Sequence, residues 1–307
     1  MIDAPYTGTG TDFYVASADV AKIVNLAIAL RRPILVEGEP GCGKTQLAYS
    51  IASELGLGDV VRITVKSTSR AQDLLYRVNA LRRLQDAQNQ HNTSAKFLYP
   101  YVSLGPLGAA LKERSRRVVL IDEVDKADID FPNDLLDVLE GFSFQIDDLP
   151  AEEEAACREK NDFGRTVSGD KENPPIVVVT SNREKRLPEA FLRRCLYVRV
   201  KFPENEDELR NIVRKNTRLR IPELNDLVLA AAVLSFMQVR QLSLGNTQKP
   251  PTTSELIDWV QILHWDGVEA ESLSTNPYRP PNWRMLFKTM ADLDAYDALS
   301  EAKRSGA

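Results

Sequence analysis

The sequence predicts an α/β protein with a mostly parallel sheet, followed by a mainly helical second part. Three observations carry that expectation. Short apolar runs of strand length alternate with stretches of helical spacing, the arrangement of βαβ units. The runs are apolar nearly throughout, as in strands buried on both faces. A glycine-rich loop, finally, joins the first run directly to a helix-like segment.

After a polar start, Val20, Ile23, Val24, Ala27, Ile28 and Leu30 form a helical stripe that stops before Pro33. Strands are expected at Ile34–Glu37, Val60–Val65, Val118–Asp122, Ile176–Thr180 and Leu196–Phe202, with helices at Leu47–Leu55, Leu107–Arg114 and Leu135–Leu139 between them. Gly56 stands where a helix C-cap glycine belongs. Ala151–Pro175 is polar and weakly periodic after its first ten residues; it reads as a surface insertion, a mobile loop, after a candidate hairpin around Phe142, Phe144 and Ile146. From the acidic start at Pro203 to Asp207, helical periods run through Leu209–Val213, Leu227–Met237, Leu256–Leu263 and Trp283–Leu293.

A length of 307 residues allows one large core plus a smaller domain, and 43% hydrophobic with 27% charged residues is the composition of a soluble globular protein. Neither a signal peptide nor a membrane-spanning run is visible, so a cytoplasmic protein is expected, with no membrane partner. Cys42, Cys157 and Cys195 suggest no disulfide framework, and His91 and His264 lie near no cysteine pair, which argues against a transition-metal site. With 39 Lys+Arg against 44 Asp+Glu the net charge is −5, which disfavours a generic nucleic-acid binder.

Gly38, Gly43, Lys44 and Thr45 fill the pattern G-x-x-x-x-G-K-[ST]. A random chain of this length would match it roughly once in a hundred, so the strand before it and the helix after it decide its meaning. In that setting the loop's N–H groups and the helix N-terminus face the space where phosphates would sit. Lys44 would reach the β- and γ-phosphates and Thr45 would offer its hydroxyl to Mg²⁺. The bland alternative is a flexible connection with an exposed lysine.

RRVVLIDEVDKAD (Arg116–Asp128) delivers two carboxylates to the end of a buried strand, the edge where ligands collect in open α/β sheets. Asp122 can hold Mg²⁺ through water, and Glu123 can polarise an attacking water. PIVVVTSN ends in Asn182, whose amide could orient that water or touch the γ-phosphate. An Asp-Glu pair or an Asn in a plain turn is the alternative for each.

Together these residues resemble the AAA+ ATPases. Within them the likeness is to the MoxR-like, midasin-related group, through GPLGAALKERSRRVVLIDEVDKAD, LLDVLEGFSFQI and LPEAFLRR. The resemblance covers about residues 15–202 well and the helical remainder loosely. It implies a P-loop core at 1–202, with a five-stranded parallel sheet in the order 5-1-4-3-2 and a polar insertion at about 142–175, then a helical lid at 203–307. ATP and Mg²⁺ would be bound by Gly38, Glu39, Pro40, Gly41, Cys42, Gly43, Lys44, Thr45 and Gln46, with Asp122 also on the metal. Such ATPases form rings, usually hexameric, with sites between subunits; Arg194 or Arg193 is then the arginine finger, a planar cation suited to the charge of a γ-phosphoryl in transfer. The resemblance implies a nucleotide-sensing arginine near the start of the lid helix, in Lys249–Leu263, but Ser254 and Glu255 stand there, so either that sensor is absent or another basic residue, Arg284, takes its place.

The implied function is a chaperone-like ATPase that remodels a partner protein complex. A nucleotide-dependent switch or scaffold, or a nucleic-acid-directed motor, is the alternative, and GTP is the alternative base. Arg183–Lys201 holds seven basic residues against two acids, a conceivable nucleic-acid patch, but no aromatic stacking platform is interleaved and the chain is acidic overall. Arg70, Arg77, Arg82 and Arg83 lie after the second strand, where related ATPases carry an insertion; a solvated helix face accounts for them.

Overall fold

The computed structural model describes residues 5–11, 13–88, 93–113, 115–203, 205–218 and 220–305. They form two compact units. Ala16–Glu37 and Thr45–Arg199, with the described residues up to Gly10, make the first; Thr11–Val15, Gly38–Lys44 and the chain from Val200 onward make the second.

In the first unit, helix α1 (Ala18–Leu30) starts where the Ser17 hydroxyl accepts the Val20 N–H, and it ends at Arg31 in left-handed backbone. Strand β1 (Ile34–Gly38), α2 (Lys44–Glu54) and β2 (Val61–Thr64) follow. Helix α3 (Ala71–Leu75) then gives way to β3 (Tyr76–Val78), α4 (Ala80–Gln88), β4 (Val102–Leu104) and α5 (Pro106–Lys112). Strands β3 and β4 pair antiparallel, with Arg77 opposite Ser103, in a two-stranded sheet separate from the main one. Helix α4 buries none of its residues, which agrees with the solvated face expected for Arg82 and Arg83.

Strand β5 (Val118–Asp122), α6 (Asp130–Asp134), α7 (Leu136–Gly141), β6 (Ser143–Gln145), α8 (Glu154–Asn161), β7 (Thr166–Ser168), β8 (Ile176–Ser181), α9 (Glu189–Arg194) and β9 (Leu196–Val200) complete the unit. The main sheet runs β2-β5-β8-β1-β9. Counted in chain order among these five strands, that is 5-1-4-3-2, as expected. Parallel registers pair Thr64 with Asp122, Ile121 with Val179 and Glu37 with Ser181, so the polar strand ends gather at one edge. The central strands β5 and β8 are buried at every position, whereas the edge strand β2 buries only Ile63. Covering both faces of the centre is what removes polar residues from its strands until their C-terminal ends.

The insertion differs from the loop expected of it. Strands β6 and β7 pair antiparallel, with Phe144 opposite Val167, and the chain between them forms a short 3₁₀ turn (Ala151–Glu153) and α8. Ile146, Leu149 and Cys157 are fully buried there, and the Phe144 ring stacks on Tyr76 at 6.3 Å. Glu153, which reads as part of a solvated acidic run, is 8% exposed and accepts the N–H groups of Leu98 and Tyr99 at 2.6 and 2.9 Å. So few buried residues leave no periodicity to detect.

The second unit is helical: α10 (Glu206–Thr217), α11 (Asp226–Ser243), α12 (Thr253–Trp265), α13 (Ala270–Thr275) and α14 (Met290–Ser305). Its core holds Leu209, Phe236, Val239, Trp259, Leu263 and Tyr296. The continuous helix expected over Trp283–Leu293 is broken. A 3₁₀ turn covers Trp283–Leu286, Phe287 is extended, and α14 begins at Met290, which lets Trp283 and Phe287 both close on the Tyr296 ring. Among the described residues no helix is long and apolar enough to cross a membrane.

Replacing Glu153 with Ala leaves two main-chain donors without their acceptor. A loss of about 2–4 kcal/mol in unfolding free energy is expected for Glu153→Ala, and a distinctly smaller one for Glu153→Gln, read by urea denaturation.

Candidate active site

The first unit's polar centre is built around Asp122. Its side chain is 5% exposed and both oxygens are occupied. Oδ1 accepts the hydroxyls of Thr45 (3.1 Å) and Thr180 (2.6 Å), and Oδ2 accepts the Arg62 guanidinium (2.7 Å). That hydrogen bond raises the Arg62 pKa above its ordinary value. Thr180 is itself buried and uses its hydroxyl twice, accepting the Glu123 N–H at 2.9 Å.

That N–H matters because Glu123 turns sharply. It takes left-handed backbone at φ 62°, a conformation of order 1–3 kcal/mol unfavourable for a residue with a side chain, and such strain gathers at functional positions. Its carboxylate leaves the strand and meets Lys126 Nζ at 2.6 Å and Asn182 Nδ2 at 3.3 Å. Glu123 in return raises the Lys126 pKa, mainly through that hydrogen bond. Buried Asp125 accepts the N–H groups of Asn182 and Glu184 at 3.0 and 2.8 Å, which fixes the chain that presents the Asn182 amide. Asp122, Glu123, Thr45 and Asn182, all expected from the sequence, are thus joined in one network. Thr180, Arg62, Asp125 and Lys126 complete it and were not foreseen.

The glycine loop Gly38–Lys44 lies in the second unit. Lys44 is 7% exposed, so it is not the exposed lysine of a slack connection. Its ammonium donates to the carbonyls of Gly38 and Glu39, both at 2.9 Å. A buried cation held by neutral carbonyls in a loop of turned backbone, with Gly41 at φ 77° and Gly43 at φ 91°, suits a phosphate group. At Gly41 a Cβ would collide with the Thr252 hydroxyl, and its carbonyl accepts Thr253 Oγ1 at 2.6 Å and Ser254 Oγ at 3.3 Å. Burial raises the Cys42 thiol pKa, against the pull of the Lys44 charge. Glu39, Pro40 and Gly41 are exposed along the loop, as is Gln46 on the helix that follows.

The arginines fall elsewhere. Arg194 Nε donates to Glu140 at 2.6 Å, and Arg193 stands 3.6 Å from Glu189 with its side chain 82% exposed. Neither shares a described hydrogen bond or ion pair with Asp122 or Glu123. Arg284 is exposed, with its guanidinium 5.7 Å from the Trp283 ring centre, and among the described residues no hydrogen bond or ion pair joins it to the loop. Glu255 is a helix cap: its carboxylate accepts the Thr252 N–H at 2.9 Å. Among the described arginines of the helical unit, Arg240 on α11 does meet the loop, 2.8 Å from the Glu39 carboxylate. Its signal was available, since Arg240 sits on the buried stripe of Val233, Phe236 and Val239, where a charge requires a partner.

A family profile described as "ATPase family associated with various cellular activities (AAA)" matches residues 34–204. No curated protein matches the chain in sequence. Among solved structures it is similar to the Thermotoga maritima RuvB Holliday junction branch migration motor, at 16% identity and a TM-score of 0.43 over 83% of this chain and 71% of that one. Two point mutants of the same RuvB give 16% identity with TM-score 0.45, covering 82% and 71%, and 17% with 0.44, covering 83% and 71%.

Thr180→Val removes one donor to Asp122 and the acceptor of the Glu123 N–H. A loss of about 1–3 kcal/mol is expected, seen as an apparent Tm several degrees lower, whereas Thr180→Ser keeps the hydroxyl and stays near the parent.

Proposed function

This chain belongs to the AAA family of ATPases, and from that premise we propose that it is a MoxR-like ATPase that hydrolyses ATP with Mg²⁺ to remodel or activate a partner protein complex. The observation that carries the reading is the joined network of Thr45, Asp122, Glu123 and Asn182 at one strand edge. The subgroup is supported by the ribbon of β3 and β4 with α4 between them, where related ATPases carry an insertion, and by the β6–β7 pair near the position of the MoxR-like hairpin.

In this reading residues 1–202 act as the nucleotide-binding core and 203–307 as the lid. Lys44 and the loop N–H groups take the β- and γ-phosphates. The adjacent Thr45 and Asp122, now hydrogen-bonded to each other, would hold the Mg²⁺. Bound Mg²⁺ would neutralise charge on the phosphate oxygens. Glu123, released from Lys126, accepts a proton from the attacking water, and the Asn182 amide holds that water in line. Arg194, or Arg193 beside it, reaches the neighbouring subunit's γ-phosphate in a ring.

A second reading, a nucleotide-loaded switch with slow turnover, is favoured by one observation: Glu123 is engaged by a cation, which opposes its use as a base. Negligible hydrolysis at every protein concentration, with tight ATP binding, would select it.

Hydrolysis per subunit should climb with protein concentration and saturate as rings assemble. Glu123→Gln should stop turnover while ATP stays bound. Lys44→Ala should be inactive, and Arg194→Ala should lose about 10³-fold or more. Mixing those last two should restore part of the activity, because an intact site can then meet an intact arginine. Arg194→Ala turning over like the parent, with Arg193→Ala inactive, would move the finger by one residue.

A further inference from the structure

Arg240 has no part in the sequence motifs, yet it is the most deeply committed cation of the helical unit. Its side chain is 7% exposed, and its guanidinium lies 3.8 Å from the centre of the Phe202 ring. One terminal nitrogen donates to the Pro251 carbonyl, and the other donates to Glu39 Oε2 at 2.8 Å. Glu39 is an acid inside a loop whose remaining features suit an anion: the turned glycines and the buried ammonium of Lys44. A carboxylate there repels phosphate unless it is neutralised, and a guanidinium withdrawn from water neutralises it more strongly than a solvated one would.

We infer that Arg240 is a positioning residue for the nucleotide, acting through Glu39: it cancels the loop's own negative charge and fixes the Glu39 side chain to the lid. The inference rests on the nucleotide reading above. It gives the lid an arginine one helix earlier than the start of α12, where Thr253 and Ser254 instead hold the Gly41 carbonyl.

A charge-cancelling pair and a merely structural clasp differ in sign. Cancelled charge means that Arg240→Gln exposes the phosphates to Glu39 and weakens Mg·ATP binding about tenfold, by the Coulomb interaction of one charge across a loop at partial screening. Glu39→Gln, which keeps the main-chain N–H that Glu39 would offer to phosphate and removes only the repelling charge, tightens Mg·ATP binding, and the double substitution recovers to within about threefold of the parent, the usual behaviour of a coupled pair. A structural clasp would weaken binding in either single variant and would not recover in the double.

The experiment is calorimetric titration of the full-length chain and these three variants with Mg·ATP and Mg·ADP, at low and high salt, with thermal unfolding as the folding control. A larger loss for ATP than for ADP in Arg240→Gln, shrinking with salt, supports the inference. If Arg240→Gln does not fold, Arg240→Lys and Glu39→Gln decide: both binding like the parent or better supports it, and either one weaker overturns it. Unchanged affinity in a folded Arg240→Gln, or weakened affinity in Glu39→Gln, overturns the inference alone. Absence of ATP binding by the unaltered chain overturns the nucleotide reading itself.

Discussion

A carboxylate at the end of an otherwise apolar strand has to be answered by donors, and Asp122 draws its donors from three separate elements. Thr45 comes from the start of α2, Thr180 from β8 and Arg62 from β2. Arg62 and Thr180 arrive because the parallel register sets β2 and β8 on either side of β5, and Thr45 because α2 begins just after β1, so the sheet order and the polar centre are largely one constraint. An unanswered charge at 4% exposure would cost several kcal/mol, comparable to a large fraction of a domain's net stability. The same contacts pass strain onward: Thr180 holds the Glu123 N–H in its left-handed turn and so directs the Glu123 carboxylate off the strand.

What the sequence made legible was whatever repeats or matches a pattern. The five strands are apolar runs, the main helices are periodic stripes, and Lys44, Asp122, Glu123 and Asn182 sit in stretches whose chemistry is local. What it hid depends on long-range partners. Glu153 looks like its acidic neighbours until two N–H groups from residues some fifty-five positions away close on it. Thr180 is one more residue of a β-rich run, and only the register shows that its hydroxyl serves two strands. The β3–β4 ribbon escaped because three-residue strands carry no period. Arg240 stood in plain view as a charge on a buried stripe, but nothing in the sequence says that its partner lies in the glycine loop.

The second unit shows how a loop of seven residues acquires a fixed shape. Glycines grant it turned backbone, and that freedom must be removed again for the loop to hold a ligand without a large ordering cost. Here the removal is spread over several contacts: the Gly41 carbonyl on two hydroxyls of α12, Glu39 on Arg240, and Gly43 against the Tyr14 ring. The Lys44 ammonium turns back onto loop carbonyls, bonds it can exchange for stronger ones to an anion.

Loop and acid network therefore differ in readiness. The loop holds its cation in place with neutral carbonyls, on which a phosphate, in the proposed reading, would improve. In the acid network every group that chemistry would use already has a charged or strong partner: Asp122 its arginine, Glu123 its lysine. On the proposed reading, hydrolysis would wait on those pairs. Asp122 would then hold the metal in place of its Arg62 partner, a change that leaves the Lys126–Glu123 pair as it is. Release of Glu123 must come from a change in the segment Val124–Lys126 or in the Asn182–Glu184 chain that Asp125 fixes. On the proposed reading that segment, more than Asp122, would set when the Glu123 carboxylate becomes free to act as a base.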